Sequence, residues 1–243
     1  MRMRKKKNLI PRMERCGDRL IREPYSMPGK WRELMPQARE LRVELGCGKG
    51  RFTAGTAAAE PDVLFIAVER VPDAMVMAME RCVAQGLTNV FFIDANADQL
   101  PQFFAPVEVD RIYINFCNPW PRTKHHKKRL THTRQLEKYK RFLAPGGEIH
   151  FKTDNADLYL ATQRYLRESG FEILWQTKDL KAEPDAIDIP TEHELMFAAQ
   201  GIPIKAITAR LRDPVPDPAK DSSRKDVQAI REELEKLGYP NTF

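Results

Sequence analysis

Three short stretches of this chain carry residue types suited to a nucleotide-like ligand, and a fourth could face a polyanion. In "VELGCGKGRF" the glycines Gly46, Gly48 and Gly50 fall at alternate positions after an apolar run, with an acid, Glu44, just before them. Glycines so placed let a turn tighten and let the backbone approach a ligand with no Cβ in the way. The spacing is G-x-G-x-G, not the G-x-G-x-x-G of dinucleotide enzymes. "FIAVER" ends in Glu69, an acid able to accept the hydroxyl hydrogens of a ribose while discouraging a 2′-phosphate. "IDANADQL" brings Asn96, whose amide oxygen can pair with the amino group of an adenine. In "INFCNPWPRTKHHKKRL" an apolar run meets a Pro-Trp-Pro turn and then a burst of charge, five Lys/Arg and two His within Arg122–Arg129. Charge runs usually form a solvated face, so a binding role for this one needs support from the rest of the chain.

Such residues act together only if the fold brings them to one edge. Short β-rich runs supply the means: Leu41–Leu45, Leu64–Val68, Val90–Ile93, Arg111–Phe116 and Glu148–Lys152 read as strands, with Phe171–Gln176 and Ile204–Leu211 as two more. Between them, Arg51–Ala59, Asp73–Ala84, Thr133–Phe142 and Ala156–Glu168 have helical length and composition. This alternation predicts an α/β fold: a Rossmann-like, doubly wound, mostly parallel sheet of about seven strands. Glycine loop, ribose acid and adenine reader then arrive in chain order at three successive strand ends. Together they describe a pocket for S-adenosylmethionine.

Composition sets the outer limits. The chain has 243 residues, 42% of them apolar, and a formal charge of +6. That suffices for one domain with a real core and small appendages. The positive charge is clustered, at "MRMRKKK" and again at Arg122–Arg129, which suits a polyanionic partner. No apolar run follows the basic start, and no stretch is long and apolar enough to span a bilayer. Cys16, Cys47, Cys82 and Cys117 are widely spaced without C-x-x-C or nearby His, which argues against a metal site and a disulfide framework. A reduced, cytoplasmic protein is expected. Residues 1–35 read as a basic segment ordered only near Trp31, residues 36–212 as the catalytic domain, and residues 213–243 as an appendage. In that appendage a Pro/Asp-rich linker precedes an amphipathic helix over 224–237, with Val227, Ile230, Leu234 and Leu237 on one face.

With these residues in place, the chain resembles the bacterial tRNA (guanine-N7)-methyltransferase family over about residues 30–211. The resemblance is carried by "VELGCGKGRF", "FIAVER", "RIYINFCNPWPRTKHHKKRL", "GGEIHFKTDN" and "PTEHELMFAAQG". It implies a class I methyltransferase that uses S-adenosylmethionine, without metal, to methylate a guanosine of the tRNA variable loop, tRNA position 46. It places cofactor contacts at Glu44, Glu69, Asn96 and Asn118, and guanosine-side contacts at Arg122, Asp154, Thr191, Glu192, His193 and Glu194. Lys124, Lys127, Lys128 and Arg129 fall in the family's RNA-contacting stretch. One departure concerns the reaction: the family's motif has aspartate before Pro-Trp, and this chain has Asn118.

Guanine N7 carries a lone pair and no proton, so attack on an activated methyl needs no general base. Asn118 keeps an acceptor oxygen there but lacks a carboxylate's charge. Two other readings stay open on sequence grounds. An amino-group methyltransferase uses an [N/D]-P-P-aromatic loop, which "NPWP" approaches without matching. A tRNA-binding protein of the same fold, with catalysis weakened or lost through Asn118, would keep the basic loop. A nicotinamide dehydrogenase fits Glu69 but neither the glycine spacing nor the basic run.

Overall fold

The computed structural model describes residues 5–183 and 189–212. The chain divides into two units, Met1–Leu211 and Arg212–Phe243; beyond Arg212 the second lies outside the described residues, and so does the helix expected over 224–237.

All seven expected strands form: β1 (Glu40–Leu45), β2 (Val63–Glu69), β3 (Val90–Asp94), β4 (Val109–Asn115), β5 (Leu143–Thr153), β6 (Phe171–Thr177) and β7 (Lys205–Leu211). They make one sheet in the order β3-β2-β1-β4-β5-β7-β6. The β1–β2, β1–β4, β2–β3 and β4–β5 pairs are parallel, and β7 runs antiparallel to both of its neighbours. Successive side chains of a strand face opposite sides, and both sides are covered. Leu64, Ile66 and Val68 of β2 join one core layer, while Val63, Phe65 and Ala67 join the other.

The helices are α1 (Leu9–Arg15), α2 (Arg51–Ala59), α3 (Pro72–Ala84), α4 (Thr133–Tyr139), α5 (Ala156–Glu168) and α6 (Glu192–Ala198). Buried Phe52, Ala57, Met75 and Met79 place α2 and α3 on one layer; Leu136, Leu158 and Tyr165 place α4 and α5 on the other. Gly50, at φ 76°, precedes α2, and a Cβ there would lie 2.5 Å from that of Ala78. Any side chain at position 50 would force α2 and α3 apart, so the third glycine serves helix packing.

The amino-terminal expectation needs correction. Order is not confined to the surroundings of Trp31. Arg12 of α1 donates to both carboxylate oxygens of Glu80 on α3, at 2.7 and 2.5 Å, and the Lys6 backbone N–H donates to Asp73. The Ile21 N–H donates to the Phe92 carbonyl at 2.9 Å, and Trp31 is fully buried with its Nε1–H on the Phe103 carbonyl at 2.8 Å. Ion pairs and isolated backbone contacts fasten this segment, and neither leaves an apolar period in the sequence. Several bounds also move. The helix expected to reach Phe142 stops at Tyr139, β4 runs Val109–Asn115 in place of Arg111–Phe116, and β5 begins at Leu143 in place of Glu148, Leu143 pairing with Val109 across an irregularity in which Gly146 takes φ 71°.

Candidate active site

The strand order reverses between β1 and β4: the chain leaves β1 toward β2 on one side and leaves β4 toward β5 on the other. A crevice opens at the carboxyl ends of the strands at such a point. A cavity of about 1400 Å³ lies there, lined by the segments that follow β1, β2, β3 and β4, by the basic loop and by the start of α6.

Its β1 side is the glycine loop. Gly46, Gly48 and Gly50 have φ of 83°, 57° and 76°, backbone that side-chain-bearing residues rarely adopt. The Gly46 N–H donates to the Val68 carbonyl at 2.8 Å, tying the loop to β2. Glu69, at the end of β2, completes the tie: its Oε2 accepts from the Gly48 N–H at 3.0 Å, and its Oε1 accepts from Arg70 and Val71 at 2.9 Å each. The acid is thus fixed against the loop before any ligand arrives. Oε2 accepts from Gly48 alone among the described residues, which leaves an acceptor site for a hydroxyl.

Glu44 lies beneath this loop and lines the cavity, only 4% exposed. Thr53 of α2 donates its hydroxyl to Oε2 at 2.5 Å and the Asn115 amide donates to Oε1 at 3.3 Å. Both donors are neutral. Burial outweighs them and pushes the carboxyl up to about 7. A carboxylate held so near neutrality is suited to a ligand that brings positive charge. Neither Thr53 nor Asn115 figured among the expected site residues. The signal in the sequence that could have found Asn115 is a polar residue at the end of the apolar strand "RIYIN".

Asn96 also lines the cavity, but its amide oxygen is partly engaged: it accepts from the Asp98 N–H at 3.2 Å and caps the short 3₁₀ turn Ala97–Gln102. One lone pair remains for an adenine amine.

Past β4 the chain turns sharply. Phe116 and Trp120 both have positive φ, 51° and 43°. The Asn118 side-chain oxygen accepts from the Trp120 N–H at 3.0 Å, closing an Asx-type turn. Asn118, Trp120, Lys124, Lys127 and Lys128 all line the cavity. The Lys128 ammonium sits 5.0 Å from the Trp120 ring centroid, and His125 meets that ring edge-on at 5.6 Å.

Arg129 departs from its expected role. It is a buried arginine, 1% exposed, whose Nε donates to the Pro119 carbonyl at 2.7 Å and whose Nη2 reaches Asp157 of α5 at 3.2 Å. It supports the turn from within and presents nothing to a phosphate. Its place in the basic run concealed this, because composition does not show which way a side chain faces.

The remaining expected residues separate into three groups. Glu192 and His193 line the cavity; Glu192 pairs with Arg81 at 3.3 Å, and His193 stacks on Phe116 at 5.8 Å. Arg81, absent from the expected set, also donates to the Lys49 carbonyl at 3.2 Å and so links α6 to the glycine loop. Thr191, which also lines the cavity, and Glu194 are buried and form a capping box on α6, with Glu194 also 3.4 Å from Lys152. They shape the site. Arg122 and Asp154 lie outside the described residues that line the cavity; Arg122 is exposed at the head of the basic loop, and Asp154 follows β5.

Comparison with known proteins agrees with this geometry. Residues 38–207 match a family model described as "Putative methyltransferase". The KamB 16S rRNA methyltransferase shares the fold with a TM-score of 0.56 at 16% identity, over 76% of this chain and 93% of that one. The tRNA (guanine-N(7)-)-methyltransferase of Ruminiclostridium cellulolyticum is 38% identical over 223 residues, 88% of this chain and 94% of that protein. The Clostridium beijerinckii protein of the same name is 41% identical over 217 residues, 86% of this chain and 98% of its own length. With its glycine loop, its strand-end acids and its Asn-Pro-Trp-Pro turn on one crevice, the chain belongs to the tRNA (guanine-N(7)-)-methyltransferase family.

Proposed function

We propose that this protein transfers a methyl group from S-adenosylmethionine to N7 of a guanosine in tRNA, in the variable loop at tRNA position 46. The observation that carries the reading is a single cavity. It joins the glycine loop and Glu69 on its β1–β2 side to Asn118, Trp120 and three lysines on its β4 side. S-adenosylmethionine supplies an electrophilic methyl group on a sulfonium.

The residues present fit that cofactor. Glu69 would take a ribose hydroxyl on Oε2, Asn96 the adenine amine, and the open backbone at Gly46 and Gly48 the approach of the chain between them. Glu44, neutral or charged near pH 7, would meet the cationic amino group, whose arrival favours its ionised form. On the far side Asn118 would orient the guanine. Lys124, Lys127 and Lys128 would hold phosphate, each as a mobile point charge.

N7 needs no proton removed, so the protein's contribution is alignment and exclusion of competing water. Four free thiols and a tRNA substrate suit the cytoplasm. The test is methyl transfer from labelled cofactor to unmodified bulk tRNA, with nucleoside mass spectrometry and position mapping. 7-Methylguanosine in the variable loop supports the reading. An N2- or N6-methylated base, or binding with no transfer in a single turnover, overturns it.

A further inference from the structure

We propose that the indole face of Trp120 receives the target guanine and stabilises the positive charge that methylation places on it. The inference rests on the methyl-transfer reading and adds to it a residue that touches the reacting base. Forming the N7–carbon bond uses the N7 lone pair, and the carbon–sulfur bond breaks with its electron pair retained on sulfur. No proton moves. The charge of the sulfonium therefore passes to the purine, which becomes a cationic imidazolium-type ring.

The surroundings of Asn118 are ill suited to that cation unless something compensates. Asn118 is neutral, and Lys124, Lys127 and Lys128 line the same cavity. Of the acids lining the cavity, Glu192 pairs with Arg81 and Asp98 with Lys138, while Glu44 and Glu69 belong to its β1–β2 side. What the turn does offer is an aromatic face. A cation over an indole is attracted by the ring's quadrupole, most strongly where water is excluded. This face already attracts one, the Lys128 ammonium 5.0 Å from its centroid. The Trp120 N–H is bonded to the Asn118 oxygen at 3.0 Å, so ring and amide are held by one turn. A flat cation taking the place of Lys128 would stack on Trp120 beside the Asn118 amide, and Lys128 would be released to a phosphate of the same nucleotide.

This predicts discrimination between two simple probes. The parent protein should bind 7-methylguanosine monophosphate more tightly than guanosine monophosphate by roughly 2- to 30-fold, the range expected of a cation–π contact. Trp120→Leu should bring that ratio close to one, and Trp120→Phe should keep part of it. Single-turnover methylation should fall by a similar factor in the Leu variant, with its affinity for tRNA changed by less. Trp120→Phe guards against misfolding, since it keeps a ring of similar shape in the turn. A ratio near one in the parent, or a ratio that persists in Trp120→Leu, overturns the inference. If the parent methylates tRNA at guanine N7 while these ratios fail, the methyl-transfer reading stands and the role of Trp120 does not. If the parent methylates no guanine N7, the reading itself fails.

Discussion

The Nε of Arg129 donates to the carbonyl of Pro119 at 2.7 Å, joining the last cation of the basic run to the turn that carries Asn118. Replacing this arginine should therefore act on stability and rate, not on phosphate binding. Arg129→Met leaves the Pro119 carbonyl without its donor, at a cost of ~1–3 kcal/mol. The expected outcome is a lower Tm and slower methyl transfer, with the salt dependence of tRNA binding unchanged. Thermal melts together with tRNA titrations across ionic strength check this. A flattened salt response with an unaltered Tm would return Arg129 to the phosphate-binding set.

The exposed lysines should behave in the opposite way. Lys124, Lys127 and Lys128 line the cavity and project from a short 3₁₀ turn. Changing all three to Gln should leave Tm nearly as it was and weaken tRNA binding. The log–log slope of affinity against salt should fall by ~0.7–0.9 for each phosphate that the loop no longer neutralises. Filter binding at several salt concentrations measures it, and an unchanged slope would make this loop a solvated face.

These two variants also mark what could be read from the sequence. The seven strands were legible because buried parallel strands read as continuous apolar runs, and β2 is buried from Val63 to Val68. Helices with a long apolar face, α2 and α5, were legible to the residue. The strand-end residues Glu44, Glu69, Asn96 and Asn118 meet on one cavity because a doubly wound sheet aligns its carboxyl ends. What escaped was direction and pairing. Arg129 and Lys128 are neighbours in a uniform run, yet one is buried and the other exposed. α1 is held by Arg12–Glu80 and α6 by its capping box, contacts that leave a short helix without strong periodicity.

Glu44 gives the site a pH dependence of known sign. Its carboxyl is raised to about 7 in the folded protein, chiefly by burial, from an ordinary value of 4.5. Between those two values the unfolded chain is ionised while the folded one holds its proton. Ligand-free stability should therefore decline as pH rises from about 4.5 to about 7, by up to ~3 kcal/mol, and level off above. Affinity for S-adenosylmethionine should move the other way, rising over the same window as Glu44 ionises to meet a cation. Glu44→Gln, which keeps an acceptor for Thr53, should flatten both profiles. Melts and calorimetric titrations from about pH 5 to about pH 8.5 test it, spanning the ionisation of a raised carboxyl; a variant that retains both slopes would assign the effect to another group.

Asn118 offers the most direct test of how the reaction is assisted. Its side-chain oxygen accepts the Trp120 N–H at 3.0 Å, a bond an aspartate could make equally well and an alanine could not. If orientation of the turn and the guanine is what position 118 provides, Asn118→Asp should change the single-turnover rate by less than about tenfold, because the Trp120 face beside it already meets the developing positive charge. Asn118→Ala should then raise the barrier by ~1–3 kcal/mol, because the turn loses its closing bond and the base loses an acceptor. If negative charge is what the reaction needs, Asn118→Asp should instead accelerate transfer by ~10²-fold or more. The geometry favours the first outcome, since the oxygen already serves the backbone that holds the Trp120 ring in place. Single-turnover methylation of unmodified tRNA at saturating cofactor, comparing Asn, Asp and Ala, separates the two. An alanine variant as fast as the parent would remove position 118 from the mechanism and leave alignment to the residues around it.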